Sequence, residues 1–97
     1  MSKILKETAF LSAVPNYIMF DLDLNAQHIR LYAIIEEMEN RPTTTPIFSY
    51  SWLANELGLK TKRAAIKIAK TLKEKGYIRH EKIVEGAYKW STVKQKG

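Results

Sequence analysis

The run from Gly58 to Gly76 constrains this chain more than any other stretch. Between the two glycines, Ala65, Ile68, Ala69 and Leu72 recur at i, i+3, i+4 and i+7, the spacing of one apolar stripe on an α-helix. Lys62, Arg63, Lys67, Lys70 and Lys73 fall largely off that stripe and give the same helix a cationic outer face. The glycines stand where a helix end favours a residue tolerant of positive φ. A helix that docks by one face and offers Lys and Arg on the other suits a polyanion, and the rest of the chain is read for what would position it.

Charge is distributed unevenly. Residues 1–59 carry four Lys/Arg against seven Asp/Glu, residues 60–82 nine against two, and residues 83–97 three against one, within a total of +6. An acidic first half joined to a basic segment describes one charged patch, not a basic surface throughout. At 97 residues the chain is long enough for one domain, and 45% apolar residues is ordinary for a folded one. The absence of cysteine excludes a disulfide framework and any thiolate ligand or nucleophile. No apolar run approaches the roughly 18 residues of a membrane span, and no secretory leader pattern opens the chain. The expectation is a soluble cytoplasmic protein with no membrane association.

In chain order, residues 1–24 are expected to form an arm that packs on the body or on a second subunit. Pro15 imposes an extended or turn geometry there, and Tyr17, Ile18, Met19 and Phe20 supply core or interface surface. Asn25 is the expected N-cap of a helix from Ala26 to about Asn40. His28, Leu31, Tyr32, Ile35 and Met38, with Ile29, Ala33 and Ile34 beside them, make most of its circumference apolar and mark it as the central helix. Glu36, Glu37 and Glu39 are expected on its exposed last turns, where they oppose the helix dipole. After a loop with Pro42 and Pro46, Ile47-Phe48 reads as a short strand, and Ser49 or Ser51 caps a second helix over roughly Tyr50–Leu57. Gly58–Lys60 is a tight turn, and Thr61 caps the basic helix, residues 61–75. Strands over Tyr77–Ile83 and Tyr88–Val93 around a turn at Val84–Ala87 complete a β-hairpin, with a frayed tail from Lys94 to Gly97.

Helix, short strand, helix, turn, basic helix and hairpin is the order of a winged helix-turn-helix: a mainly α, α+β fold with a three-helix core and a C-terminal β-hairpin wing. Residues 25–97 would form that domain. In such a fold the second helix and the turn brace the third, whose N-terminal half is free to enter a major groove.

The motifs Val14-Pro15, Leu24-Asn25, Arg30-Leu31-Tyr32-Ala33, Ser49 with Leu53-Ala54 and Leu57-Gly58, and Leu72 with Gly76-Tyr77-Ile78 carry a family likeness over roughly residues 10–93. The chain resembles the winged helix-turn-helix domain of plasmid and phage replication initiators and related small mobile-element regulators. The resemblance implies sequence-specific binding of double-stranded DNA, in replication initiation or transcriptional regulation. One residue more than the family pattern separates Gly58 from the basic helix. Replication initiators also continue into further domains, whereas this chain stops at Gly97; its initial methionine favours a small stand-alone binder over an excised domain.

Within that reading Arg63 is the candidate for a bidentate guanine contact, and Lys62 for a base or a phosphate; both are otherwise solvent charges. Lys60 and Thr61 sit at the start of the helix, where free N–H groups can hold a phosphate. Ile66, off the apolar stripe, either meets a thymine methyl or packs against the first helix. Lys67 and Lys70 suit phosphates, while Lys73 and Lys75 lie far along the helix. Arg79, Lys82 and Lys89 are the hairpin candidates for backbone or minor-groove contact, opposed by Glu81 and Glu85 near its tip. Ser49 is a further phosphate candidate, and Tyr50 is either that or core. Trp52 and Trp90 are expected in the core. His28 and His80 lie in different elements and offer no ligand spacing, so neither metal nor cofactor is expected, and no nucleophile motif suggests an enzyme.

A homodimer on a palindromic site and a replication or transcription partner protein are both compatible with this pattern. Two other functions fit the basic face: docking of an acidic partner protein, and RNA binding.

Overall fold

The architecture is described here from a computed structural model covering residues 14–93. Residues 1–13 of the arm expected over 1–24, and the tail over residues 94–97, lie outside the described residues. Among the described residues the fold is α+β: four helices and one three-stranded antiparallel sheet. The helices are α1 (Asn16–Met19), α2 (Ala26–Glu39), α3 (Tyr50–Glu56) and α4 (Lys62–Glu74), and the strands β1 (Ile47–Phe48), β2 (Ile78–Val84) and β3 (Ala87–Thr92). Among the described residues no helix is long and apolar enough to cross a membrane.

Local capping chemistry sets the helix boundaries. Asn25 Oδ1 accepts from the backbone N–H groups of Gln27 and His28, and His28 Nδ1 accepts in return from the Asn25 N–H at 2.9 Å. This is a reciprocal capping box with histidine in the place usually held by Glu or Gln. Ser49 Oγ accepts from the Trp52 N–H at 3.0 Å, and Thr61 Oγ1 from the Ala64 N–H at 3.2 Å. At the other ends, Gly58 (φ +69°) and Gly76 (φ +78°) close α3 and α4 alike. Leu59 N–H returns to the Ala54 carbonyl at 2.8 Å and Tyr77 N–H to Leu72 at 3.0 Å, each a Schellman turn that only the left-handed glycine permits without strain.

Helix α2 runs through the centre: Leu31, Tyr32, Ala33, Ile34 and Ile35 are all buried, so its middle is covered on every side. Helix α4 docks by Ala65, Ala69 and Leu72, fully buried, with Ile68 half-buried beside them. Two alanines on that stripe allow a close approach to α2 and α3. The sheet order is β1-β3-β2, with Phe48 opposite Tyr88, His80 opposite Trp90 and a bulge between Lys82 and Val84. Its inner face carries Phe48, Ile78 and Trp90 into the core, while Arg79, Glu81, Lys89 and Ser91 alternate onto the outer face. Trp90 is fully buried, stacks on Phe48 at 4.9 Å between ring centroids, and donates Nε1–H to the Phe48 carbonyl at 3.1 Å.

Three details differ from the sequence reading. The stretch after Pro15 is a helical turn, because Pro15 keeps an extended ψ of 151° yet its carbonyl accepts from Ile18 and Met19 N–H groups, each at 3.0 Å. That turn buries Ile18 and leaves Met19 and Phe20 exposed. The hairpin turns over two residues, Glu85 and Gly86, because Val84 pairs with Ala87. Glu36 is buried, at 7% exposure, and the acids at the end of α2 hold the end of β3. The Thr92 hydroxyl lies 2.6 Å from Glu39 Oε1 and 3.3 Å from Glu36 Oε2, and Glu37 pairs with Arg41 at 2.8 Å. These partners offset the unfavourable placement against the helix dipole.

Removing the double-capping side chain in Asn25→Ala should lower unfolding free energy by about 1 kcal/mol in a urea titration. Burial lowers the His28 pKa, with Asp21 opposing and Lys75 adding to the shift. A histidine depressed in the folded state is protonated first in the unfolded chain. Stability should therefore be intact above about pH 6.5 and fall as pH drops through the folded pKa. His28→Gln, which keeps an acceptor in the capping box, should remove part of that acid loss when melting is followed against pH.

Candidate nucleic-acid interface

Helix α4 places its cations by periodicity. At 3.6 residues per turn, Arg63, Lys67 and Lys70 fall within about 60° of arc, opposite the buried stripe. Lys60, Thr61, Lys62, Arg63, Lys67 and Lys70 are all exposed, and among the described residues none of these cations forms an ion pair. The N-terminal half of α4 is thus a continuous cationic surface, at the end where the helix dipole is also positive.

Beyond Lys70 the pattern changes, because Lys73 and Lys75 are engaged within the fold. Lys75 pairs with Asp23 at 2.8 Å and with Asp21 at 3.2 Å, and the Tyr77 hydroxyl donates to Asp21 Oδ2 at 2.6 Å. The Tyr77 hydroxyl, then the Asp23 amide and Lys75, hold the Asp21 carboxyl below its ordinary pKa against the opposing effect of burial. Exposed Glu74 lies on the same side as Arg63 and Lys67 but at the far end. An approaching polyanion meets positive charge at one end of the helix and carboxylates at the other.

Lys73 reaches back to the hairpin. Its Nζ lies 3.1 Å from His80 Nε2 and 3.4 Å from the Tyr50 hydroxyl, and that hydroxyl is 2.7 Å from the same imidazole nitrogen. The tautomer fitting this geometry carries the proton on Nδ1 and leaves Nε2 to accept. The His80 ring stacks on Tyr88 at 4.6 Å and meets Trp90 edge-on at 4.6 Å. Burial lowers the His80 pKa, its own backbone hydrogen bond opposes the shift, and the Lys73 ammonium adds to it. Burial, with a smaller effect from Tyr88, pushes Tyr50 up to about 12. This cluster joins α3, α4 and β2, so it sets how the hairpin sits against α4.

The other candidates do not share the α4 surface. Tyr50 is buried in this cluster, which corrects its placement as a phosphate ligand: its hydroxyl is committed to His80 and Lys73. Half-buried Ser49 spends its hydroxyl on the cap of α3. Arg79 and Lys89 line a shallow depression on the outer sheet face with Glu81 and Ser91, turned away from the core side that meets α4. Lys82 is held by Glu85 at 2.9 Å beside the hairpin turn. Among the described residues no group of three or more His, Asp or Glu side chains converges as a metal site requires. The Lys73–Tyr50–His80 cluster has no signal in the sequence, because its members lie 7 to 30 positions apart. Only the alternating Tyr and His positions of the hairpin hint that His80 faces inward.

No protein-family model, curated protein or solved structure matches the chain.

An NMR titration of the imidazoles between about pH 4 and 8 should place the His80 midpoint below that of a free histidine. Lys73→Met should raise that midpoint without restoring the free value, because burial persists. A wild-type His80 titrating at or above the free value would contradict the cluster.

Proposed function

We propose that the chain is a winged helix-turn-helix protein that binds double-stranded DNA sequence-specifically. In this reading α4 enters the major groove by its N-terminal half, α3 and the Gly58 turn brace it, and the β2–β3 hairpin is the wing. The observation that carries the proposal is the row of exposed cations, Lys60 just before α4 and Lys62, Arg63, Lys67 and Lys70 on it, none in an ion pair among the described residues, on a helix whose other side is buried. Five such charges repel one another in the free protein, and phosphates on both walls of a groove relieve that repulsion. The sequence resemblance to plasmid and phage initiators and small regulators favours a role in replication initiation or transcriptional control, in a bacterial cytoplasm. A two-fold dimer would double the contact on a palindromic site.

In this arrangement Arg63 addresses a base, Lys67 and Lys70 hold phosphates, and Lys60, Thr61 and Lys62 flank the helix start. Arg79 and Lys89 can contribute only where the duplex curves toward the outer sheet face. Lys82 must first give up Glu85, so the hairpin is the weaker contact.

Neutralisation of about six phosphates predicts that log K falls against log[salt] with a slope of roughly −5. In titrations of a duplex recovered by in vitro selection, Lys67→Ala should weaken binding to all sequences alike. Arg63→Ala should cost about 1–3 kcal/mol and relax preference at one base pair. A flat salt dependence, or neither substitution having an effect, would remove α4 from the interface. No duplex binding at low salt would favour an acidic protein partner, and preference for hairpin RNA would favour an RNA ligand.

A further inference from the structure

Ile66 is the one large apolar side chain of α4 that the fold leaves exposed. Its side chain is 39% exposed, and it belongs neither to the buried core nor to the half-buried side chains packed against it. Burial against α2, the alternative the sequence left open, is not its place, since Ile66 stays exposed while Ala65, Ala69 and Leu72 of the same helix are buried. Nor does helix propensity account for it, since a β-branched residue is a poorer choice than Lys, Gln or Glu on a solvent-facing turn. A lone exposed isoleucine is unremarkable on most surfaces. This one is enclosed by Lys62 and Lys70 at i−4 and i+4, with Arg63 and Lys67 alongside, all four exposed and none in an ion pair among the described residues.

We infer that Ile66 reads the 5-methyl group of a thymine in the major groove; the inference rests on the duplex-DNA reading above. The surrounding cations, held by phosphates, would bring the helix face down onto the base edges, and Ile66 is the apolar surface they surround. Thymine is the one standard base that presents an apolar group in that groove. A base offering only an amino or carbonyl edge to Ile66 would lose its water without gaining a partner, which disfavours it. Ile66 lies three residues beyond Arg63, about 4.5 Å along the axis at about 1.5 Å per residue. That is close to one base-pair step of about 3.4 Å. Ile66 thus addresses a position next to the one read by Arg63. The recognised chemistry is the 5-methylpyrimidine, so 5-methylcytosine should be preferred to cytosine there.

The test uses the duplex recovered by in vitro selection, with each thymine replaced in turn by uracil, and fluorescence anisotropy at fixed salt. One position per bound copy should lose about fourfold in affinity, the effect of one buried methyl group. In Ile66→Ala that position should bind thymine and uracil equally, and Ile66→Val should keep part of the difference. With cytosine there, 5-methylation should tighten binding of the wild type and leave Ile66→Ala unchanged. Thermal melts of both variants separate a folding defect from a lost contact. Uracil tolerated at every position, or a thymine preference intact at each in Ile66→Ala, would overturn the methyl assignment and leave DNA binding standing. Failure to bind any duplex at low salt would overturn the reading beneath it.

Discussion

The buried indole of Trp90 is the contact on which the rest of the structure depends. It lies at the centre of the sheet's inner face, stacked on Phe48 and edge-on to both Tyr50 and His80. Its one polar atom is satisfied by the Phe48 carbonyl, and its backbone N–H by Pro46 at 2.8 Å, so the large ring is buried without stranding a donor. Deleting such a ring costs about 3–5 kcal/mol in typical cores. That is a large share of the roughly 5–15 kcal/mol that holds a domain together. Because Tyr50 and His80 lean on the same ring and hold Lys73, the placement of the hairpin against α4 is transmitted outward from this core contact.

The second constraint is electrostatic. The chain concentrates its positive charge between residues 60 and 82, but the fold does not leave that charge uniformly available. Lys73 is drawn into the Tyr50–His80 cluster, Lys75 into the Asp21–Asp23 pair and Lys82 onto Glu85. Among the described residues, the α4 cations without an ion pair run from the residues leading into the helix to Lys70 in its third turn. The fold therefore narrows a basic segment to a basic half-helix, with carboxylates at the other end to repel the same ligand.

Much of the secondary structure was legible because its determinants are local. Asn25, Ser49 and Thr61 each bond backbone groups within three residues, and Gly58 and Gly76 each close the helix before them, so no tertiary contact was needed to place these ends. The α4 stripe was legible for a related reason: one buried face and one wet face leave a period in the sequence. Helix α2 shows no such contrast, since its middle is covered all round, and there the continuous apolar run was the signal. One-turn α1 is too short to leave a period, and the two-residue hairpin turn is hidden by the β-bulge beside it. Glu36 and Glu39 looked misplaced because the partner they share, Thr92, lies more than fifty positions away.

The candidate surface divides along the same line. Lys60, Thr61, Lys62, Arg63, Ile66, Lys67 and Lys70 could be grouped from sequence, since helical geometry alone puts them together. Sequence could not separate Tyr50 the core residue from Tyr50 the ligand, nor foresee that Arg79 and Lys89 face away from α4. It could not say whether Ile66 was packed or open. Each of those depends on which element lies opposite, a long-range contact whose partners need no fixed spacing. By itself the sequence determined the three longer helices and their caps, the hairpin, and which residues share the outer face of α4. Only the tertiary structure decided which of those charges stay free, because pairing depends on distances that folding alone creates.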